Sequence, residues 1–132
     1  LAVYRRAYPD GRTEYPGGQD YNRAWGTRLA SDAQVEVQRQ ISDALDAGRR
    51  VLVLDLHTST SSTKVYGVGS LELVPEGHND VPDPLPEGGL TRWALDAGAA
   101  SVALEGRGYD PSSVETLVDL VPQIVTRWAS AA

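Results

Sequence analysis

The 132-residue chain contains no cysteine and no methionine, and its only histidines are His57 and His78. Without cysteine, disulfide bonds, thiolate catalysis and cysteine-ligated zinc sites are all excluded. No apolar run reaches the roughly 18 residues of a membrane-spanning helix, and no signal-peptide pattern is recognisable at the N-terminus. We therefore expect a cytoplasmic protein with no membrane partner.

Positive charge is scarce as well. The 12 lysines and arginines are outnumbered by 18 aspartates and glutamates, which gives a net charge of −6. Because binding to phosphates needs a concentrated positive surface, this balance argues against a nucleic-acid partner. The hydrophobic content of 41% and the charged content of 23% are ordinary for a globular protein. The length predicts one domain with a core of its own.

The first 30 residues differ from the rest of the chain. Two closely spaced turn signals, Pro9-Asp10-Gly11 and Pro16-Gly17-Gly18, lie among clustered arginines, which indicates an irregular region. The chain also begins at Leu1 with no methionine anywhere, so we expect it to be a piece of a longer protein.

Regular elements are predicted from residue 31 onward. Ser31 and Gln34 have the spacing of a capping box, which begins a helix that ends near Gly48. The next segment, at about residues 51–56, is apolar at five of its six positions, which is typical of a strand covered on both faces. Further elements are a short strand at about 64–68, a helix at about 89–97 and a strand at about 101–105.

The last helix and one long loop complete the pattern. Asp110 and Pro111 fit the N-cap and the first position of a helix, and Pro122 should either kink that helix or make it end and restart. Residues 75–89 hold four of the eight prolines, which favours an irregular loop that is either a lid or a linker. The alternation of helices and strands predicts a layered α/β/α fold with a mostly parallel or mixed sheet.

Two of the predicted strands end in an ionisable residue, His57 in one case and Glu105 in the other. If these strands are parallel neighbours, both side chains meet at one edge of the sheet, where α/β proteins gather their chemistry. A histidine beside a glutamate supports either a metal-bound water with a carboxylate base or a proton relay. The structural alternatives are a histidine that merely caps its strand and a salt bridge from Glu105 to Arg107.

Asn22 and Arg23 form a third candidate element. An amide beside a guanidinium offers planar donors that suit a carboxylate, although a surface turn explains a single Asn-Arg pair equally well.

Taken in order, these segments resemble a known family. Asp20-Tyr-Asn22-Arg23, then Asp55-Leu-His57-Thr, then Leu104-Glu105-Gly106 before a long helix is similar to the pattern of the succinylglutamate desuccinylase/aspartoacylase family. These enzymes are zinc-dependent hydrolases related to the zinc carboxypeptidases. The resemblance covers nearly all 132 residues. It implies a zinc-carboxypeptidase-like (phosphorylase/hydrolase-like) core and hydrolysis of the amide bond of an N-acyl amino acid or a similar small carboxylate.

The resemblance also implies roles for individual residues. His57 matches the family's third zinc ligand, and Glu105 matches the general base that activates the zinc-bound water. Asn22 and Arg23 match the pair that binds the substrate carboxylate. On this reading residues 1–30 are a substrate-binding loop region and residues 31–132 are the α/β core of a single, partial catalytic domain.

The family further uses an arginine upstream of the Asn-Arg pair to polarise the scissile carbonyl. Arg5, Arg6 and Arg12 are the candidates here, and we favour Arg6.

One departure from the family pattern affects the zinc site. The family's first two zinc ligands come from a His-x-x-Glu motif, which this sequence does not contain, and His78 matches nothing in the family. Because a catalytic zinc normally needs three protein ligands, we expect zinc in the intact family member and none bound by this chain alone. The alternatives are a non-catalytic relative that keeps the carboxylate-binding pair and a generic α/β ligand-binding or scaffold domain.

Overall fold

The computed structural model describes residues 20–59, 64–80, 84–107 and 110–131. The candidate arginines Arg5, Arg6 and Arg12 lie outside the described residues. Three strands and three α-helices make up the described part, together with two short 3₁₀ helices. In chain order these are the 3₁₀ helix Tyr21–Arg23, α1 Asp32–Asp46, β1 Leu52–Ser59, β2 Tyr66–Gly69, the 3₁₀ helix Leu71–Leu73, α2 Leu90–Ala97, β3 Ala100–Arg107 and α3 Pro111–Ser130.

The three strands form one mixed sheet in the order β1-β3-β2. β1 and β3 are parallel, whereas β2 runs antiparallel to β3. The chain is therefore an α/β protein with a mixed sheet, as the alternation of helices and strands predicted. In the part of the chain that the structure describes, none of the helices is long and apolar enough to cross a membrane.

The helix starts are those that the sequence predicted. Ser31 and Gln34 make both hydrogen bonds of a capping box, so two backbone N–H groups at the start of α1 are satisfied reciprocally. At α3, the Asp110 side chain accepts a hydrogen bond from the Ser112 backbone N–H, and Pro111 occupies the first turn, where no N–H is needed.

Pro122 lies inside α3, which is one helix from residue 111 to residue 130. The alternative prediction that the helix ends and restarts there is wrong. A proline removes a single backbone hydrogen bond, while Leu120 and Ile124 on either side are buried against the sheet at 2% and 0% exposure. We infer that this packing keeps the helix continuous through Pro122.

Helices cover both faces of the sheet. α3 packs on one face, where Leu52 and Leu54 contribute to a cluster with Leu117, Leu120 and Ile124. α1 and α2 pack on the other face, around a smaller cluster in which β1 contributes its alternate side chains. The members of this cluster are Val51 and Val53 from the β1 segment, Val37, Ile41 and Leu45 from α1, and Trp93, Ala94 and Ala99 from α2 and the residues after it.

β1 is less buried than its prediction as a strand covered on both faces implies. Within the described residues it pairs only with β3 and is an edge strand, and the Leu56 side chain is 56% exposed. The apolar run correctly predicted contacts with helices on both faces. It was wrong about full burial, because a strand at the end of a sheet has no neighbour on its outer side to exclude water.

Candidate functional site

His57 and Glu105 are direct partners in the parallel register of β1 and β3. This confirms the expectation that the two strands are neighbours whose ionisable ends meet at one edge. Side chains alternate along a strand, so His57 lies on the same face as Val51 and Val53, the face of α1 and α2. Glu105 shares that face as its register partner.

Tyr66 is the register partner of Glu105 on the other side of β3. The row across the sheet is therefore His57, Glu105 and Tyr66, with the carboxylate at the centre and one ring on each side. Tyr66 was not among the site residues predicted from the sequence. The signal that leads to it is the pairing of β2 with β3, which the sequence alone does not contain.

His57 is hydrogen-bonded to Asp55, with 2.8 Å between His57 Nε2 and Asp55 Oδ2. The two side chains are largely buried, at 28% and 21% exposure. The hydrogen bond that His57 donates to Asp55 is the main cause of a raised pKa for His57, and the negative charges of Asp55 and Glu105 raise it further. Burial and the positive charge of Arg23 act in the opposite direction. Asp55 belongs to the sequence motif, but its role emerges only from this contact.

Arg23 is thus close enough to the strand ends for its charge to act on His57. Its guanidinium Nη1 donates to the Asn22 carbonyl oxygen at 3.0 Å, and its side chain is exposed. Asp20 begins this 3₁₀ helix by accepting a hydrogen bond from the Asn22 backbone N–H at 2.8 Å. The structure therefore brings Arg23, one of the two predicted carboxylate-binding residues, into electrostatic range of His57.

The 3₁₀ helix Tyr21–Arg23 is held by two other parts of the chain. The buried Gln34 side chain of α1 donates through Nε2 to the Tyr21 carbonyl oxygen at 2.7 Å. From the long loop, the Gly88 carbonyl oxygen accepts from the Trp25 backbone N–H at 2.9 Å. Gly88 has φ +76°, and a Cβ there would collide with the Arg23 carbonyl. Because these contacts tie its described C-terminal end to the site region, the long loop is more than a linker.

His78 has a structural role in the part of the loop before residue 81. Its Nδ1 lies 2.8 Å from the Val65 carbonyl oxygen, and its own carbonyl oxygen accepts from the Gly67 backbone N–H at 2.7 Å. Both contacts fasten the loop to the beginning of β2. His78 is therefore engaged in holding the loop at the start of β2.

The metal-binding capacity of this site can be judged from its donors. Among the described residues, no group of three or more His, Asp or Glu side chains is arranged to hold a metal ion. His57 by itself fits the role of a metal ligand. Asp55 is hydrogen-bonded to Nε2, so Nδ1 is the ring nitrogen whose lone pair could bind a metal ion. A carboxylate on the second nitrogen is the usual support of a metal-binding histidine.

Comparison of the chain with protein-family models, with curated proteins and with solved structures found no match.

Proposed function

We propose that this chain is the catalytic core of a zinc-dependent deacylase or amidohydrolase of the succinylglutamate desuccinylase/aspartoacylase type. Its substrate would be an N-acyl amino acid or a similar small carboxylate. The observation that supports the proposal most is the register pairing of His57 with Glu105 at the carboxyl ends of parallel strands, on one face of the sheet. The second support is the charge of Arg23, which acts on His57 from outside the sheet.

Each residue then has a defined task. Glu105 is the general base, because its carboxylate lies beside the histidine and can accept a proton from an attacking water. Asn22 and Arg23 bind the substrate carboxylate, and Arg6 polarises the scissile carbonyl.

His57 is the residue of the described chain that would hold zinc, through Nδ1. Bound zinc supplies a Lewis acid and a water of lowered pKa. The two further ligands of the family pattern, a histidine and a glutamate, are not provided by a His-x-x-Glu motif in these 132 residues. In this proposal they come from the rest of a longer protein.

The second candidate function is a non-catalytic carboxylate-binding domain. The absence of a three-ligand group among the described residues favours it, since the Asn22–Arg23 pair can bind a carboxylate without zinc. Both candidates predict carboxylate binding, and only the first predicts hydrolysis.

The two candidates are separated by assaying the protein expressed from its complete reading frame with zinc and a panel of N-acyl aspartates and glutamates. We expect hydrolysis, and we expect Glu105→Gln to reduce the rate by about 10²- to 10⁴-fold through loss of the general base. Zinc content should be unchanged in this variant. Binding of the same compounds without hydrolysis would favour the second candidate.

Arg23→Gln tests the carboxylate site in both candidates. A hydrogen bond to a charged group contributes about 1.5–3 kcal/mol, so affinity should fall by about 10- to 150-fold. Arg28→Gln is the matched control, because Arg28 is an exposed arginine of the same segment. Equal affinity of the two variants would contradict carboxylate binding by Arg23, and with it both candidates.

A further inference from the structure

Asp55 is an ionisable residue of the Asp55-Leu-His57-Thr motif to which neither the resemblance nor the proposed function gives a task. It lies two positions before His57 on β1, so the two side chains project from the same face of the strand. Asp55 Oδ2 is 2.8 Å from His57 Nε2. An ionised carboxylate can only accept hydrogen bonds, so Nε2 must carry the proton that joins the two groups.

This contact determines which nitrogen of His57 is available. With its proton on Nε2, a neutral imidazole has its lone pair on Nδ1. The side chains of Asp55 and His57 are only 21% and 28% exposed, so water competes weakly for the hydrogen bond. A charge-assisted hydrogen bond in such surroundings is among the stronger ones in proteins.

We infer that Asp55 is a positioning residue that holds His57 in the tautomer with the proton on Nε2 and so presents Nδ1 as the ligand for a divalent metal ion. The metal part of this inference rests on the proposed function, whereas the tautomer does not. Carboxylates that orient metal-binding histidines in this way contribute about 10- to 100-fold to metal affinity.

His78 provides a control within the same chain. Its Nδ1 lies 2.8 Å from the Val65 carbonyl oxygen, which can only accept a hydrogen bond. His78 must therefore carry its proton on Nδ1 when it is neutral. The two histidines of this protein are thus expected to be opposite tautomers, each selected by its own acceptor.

Nitrogen-15 NMR of the metal-free protein, at a pH where both rings are neutral, tests the tautomers directly. We expect the proton of His57 on Nε2 and that of His78 on Nδ1. Asp55→Ala should remove the hydrogen-bonded Nε2 proton signal of His57, whereas Asp55→Asn should retain the tautomer because the amide keeps one acceptor oxygen. The His78 signals should be the same in all three proteins, which also verifies that the variants fold.

A His57 proton on Nδ1 in the unsubstituted protein would overturn the inference. So would an Asp55→Ala spectrum identical to that of the unsubstituted protein.

Titration of the protein expressed from its complete reading frame with zinc ions alone then tests the metal part. Zinc should perturb His57 at Nδ1, and Asp55→Ala should weaken that binding by about 10- to 100-fold. Perturbation at Nε2 would overturn the assignment of the ligand atom. If the tautomers are as expected and zinc does not bind to the complete protein, the zinc hydrolase proposal fails while the positioning of His57 by Asp55 stands.

Discussion

The two faces of the sheet are built differently. On the α3 face, Val102, Leu104 and Ile124 are completely buried, and the apolar cluster extends along the strands. On the face of α1 and α2, the buried cluster is small and consists of Ile41, Ala94 and Ala99 with half-buried neighbours. Beyond it, towards the carboxyl ends of β1 and β3, this face carries Asp55, His57 and Glu105.

The α3 face therefore contributes mainly to stability, and the other face carries the residues of the candidate site. The α3 face excludes water from Val102 and Leu104 of the central strand β3, and burial of apolar surface is the main favourable contribution to folding. On the other face the apolar contribution of the β1 segment stops at Val53, and the positions that follow on that face are Asp55 and His57. Ionisable groups can remain largely buried there only because they are paired with each other. We therefore expect substitutions on the α3 face to change stability and those on the other face to change the electrostatics of the site.

The largest expected effect on stability is that of Ile124→Ala. Ile124 is fully buried on the α3 face, so the substitution leaves a cavity and should lower the free energy of unfolding by about 2–5 kcal/mol. Val118→Ala on the same helix is the control, since Val118 is 64% exposed and should change stability by about 0.5 kcal/mol or less. Urea denaturation measures both. Similar losses in the two variants would contradict the assignment of the core to this face.

Gly88→Ala tests how the 3₁₀ helix Tyr21–Arg23 is held over the site. Gly77→Ala is the matched control, because Gly77 also has a positive φ but nothing lies within 4 Å of its added Cβ. The control should lose about 1–2 kcal/mol for its left-handed backbone alone. Gly88→Ala should lose more, since its Cβ collides with the Arg23 carbonyl. It should also alter the pKa of His57, which NMR titration detects, and an unaltered pKa would show that Arg23 is not held by Gly88.

Charge substitutions on the site face should move the pKa of His57 in opposite directions. Arg23 lowers this pKa and Glu105 raises it, so Arg23→Gln should raise it and Glu105→Gln should lower it in the metal-free protein. Because the pKa of His57 is raised on folding, the protonated ring stabilises the fold at low pH. That contribution is lost as the pH rises through the pKa of the folded state. NMR titration should find no change in Arg28→Gln, and a matching shift there would mean that net charge alone is responsible.

The smallest effect is expected on the outer surface of α1, away from both clusters. Hydrogen bonds from Arg39 and Gln40 lower the pKa of Glu36 to about 2. A depressed carboxyl pKa stabilises the fold above its unfolded value, and that contribution is lost as the pH falls towards 2. Glu36→Gln should therefore lower the Tm slightly at neutral pH and leave it unchanged near pH 2. High salt should shrink the difference, because exposed ion pairs are screened. A salt-independent loss would indicate another cause.

The local elements of this protein were predictable because their signals are local. The capping box at Ser31 and the Asp110-Pro111 helix start involve residues three or fewer positions apart, so their hydrogen bonds form wherever the segment lies in the fold. Apolar periodicity likewise located the strands to within a few residues. At Pro122 the local signal was ambiguous, and packing of its neighbours decided the outcome.

The candidate site was predictable only in part. The sequence predicted that His57 and Glu105 lie near the carboxyl ends of two strands, and it shows Asn22 and Arg23 beside each other. Nothing in it states that β1 and β3 pair in the register that joins His57 to Glu105, because register depends on contacts between distant segments.

By itself, the sequence determined the kinds of element, their caps and the polar residues at the strand ends, since these depend on neighbours within about one helical turn or one strand. The tertiary structure decided that β1 is an edge strand, that Tyr66 flanks Glu105 and that the charge of Arg23 reaches His57. These features arise from pairing and packing between segments far apart in the chain. No local preference specifies them, because the contacts that stabilise them form only when the distant segments pack together.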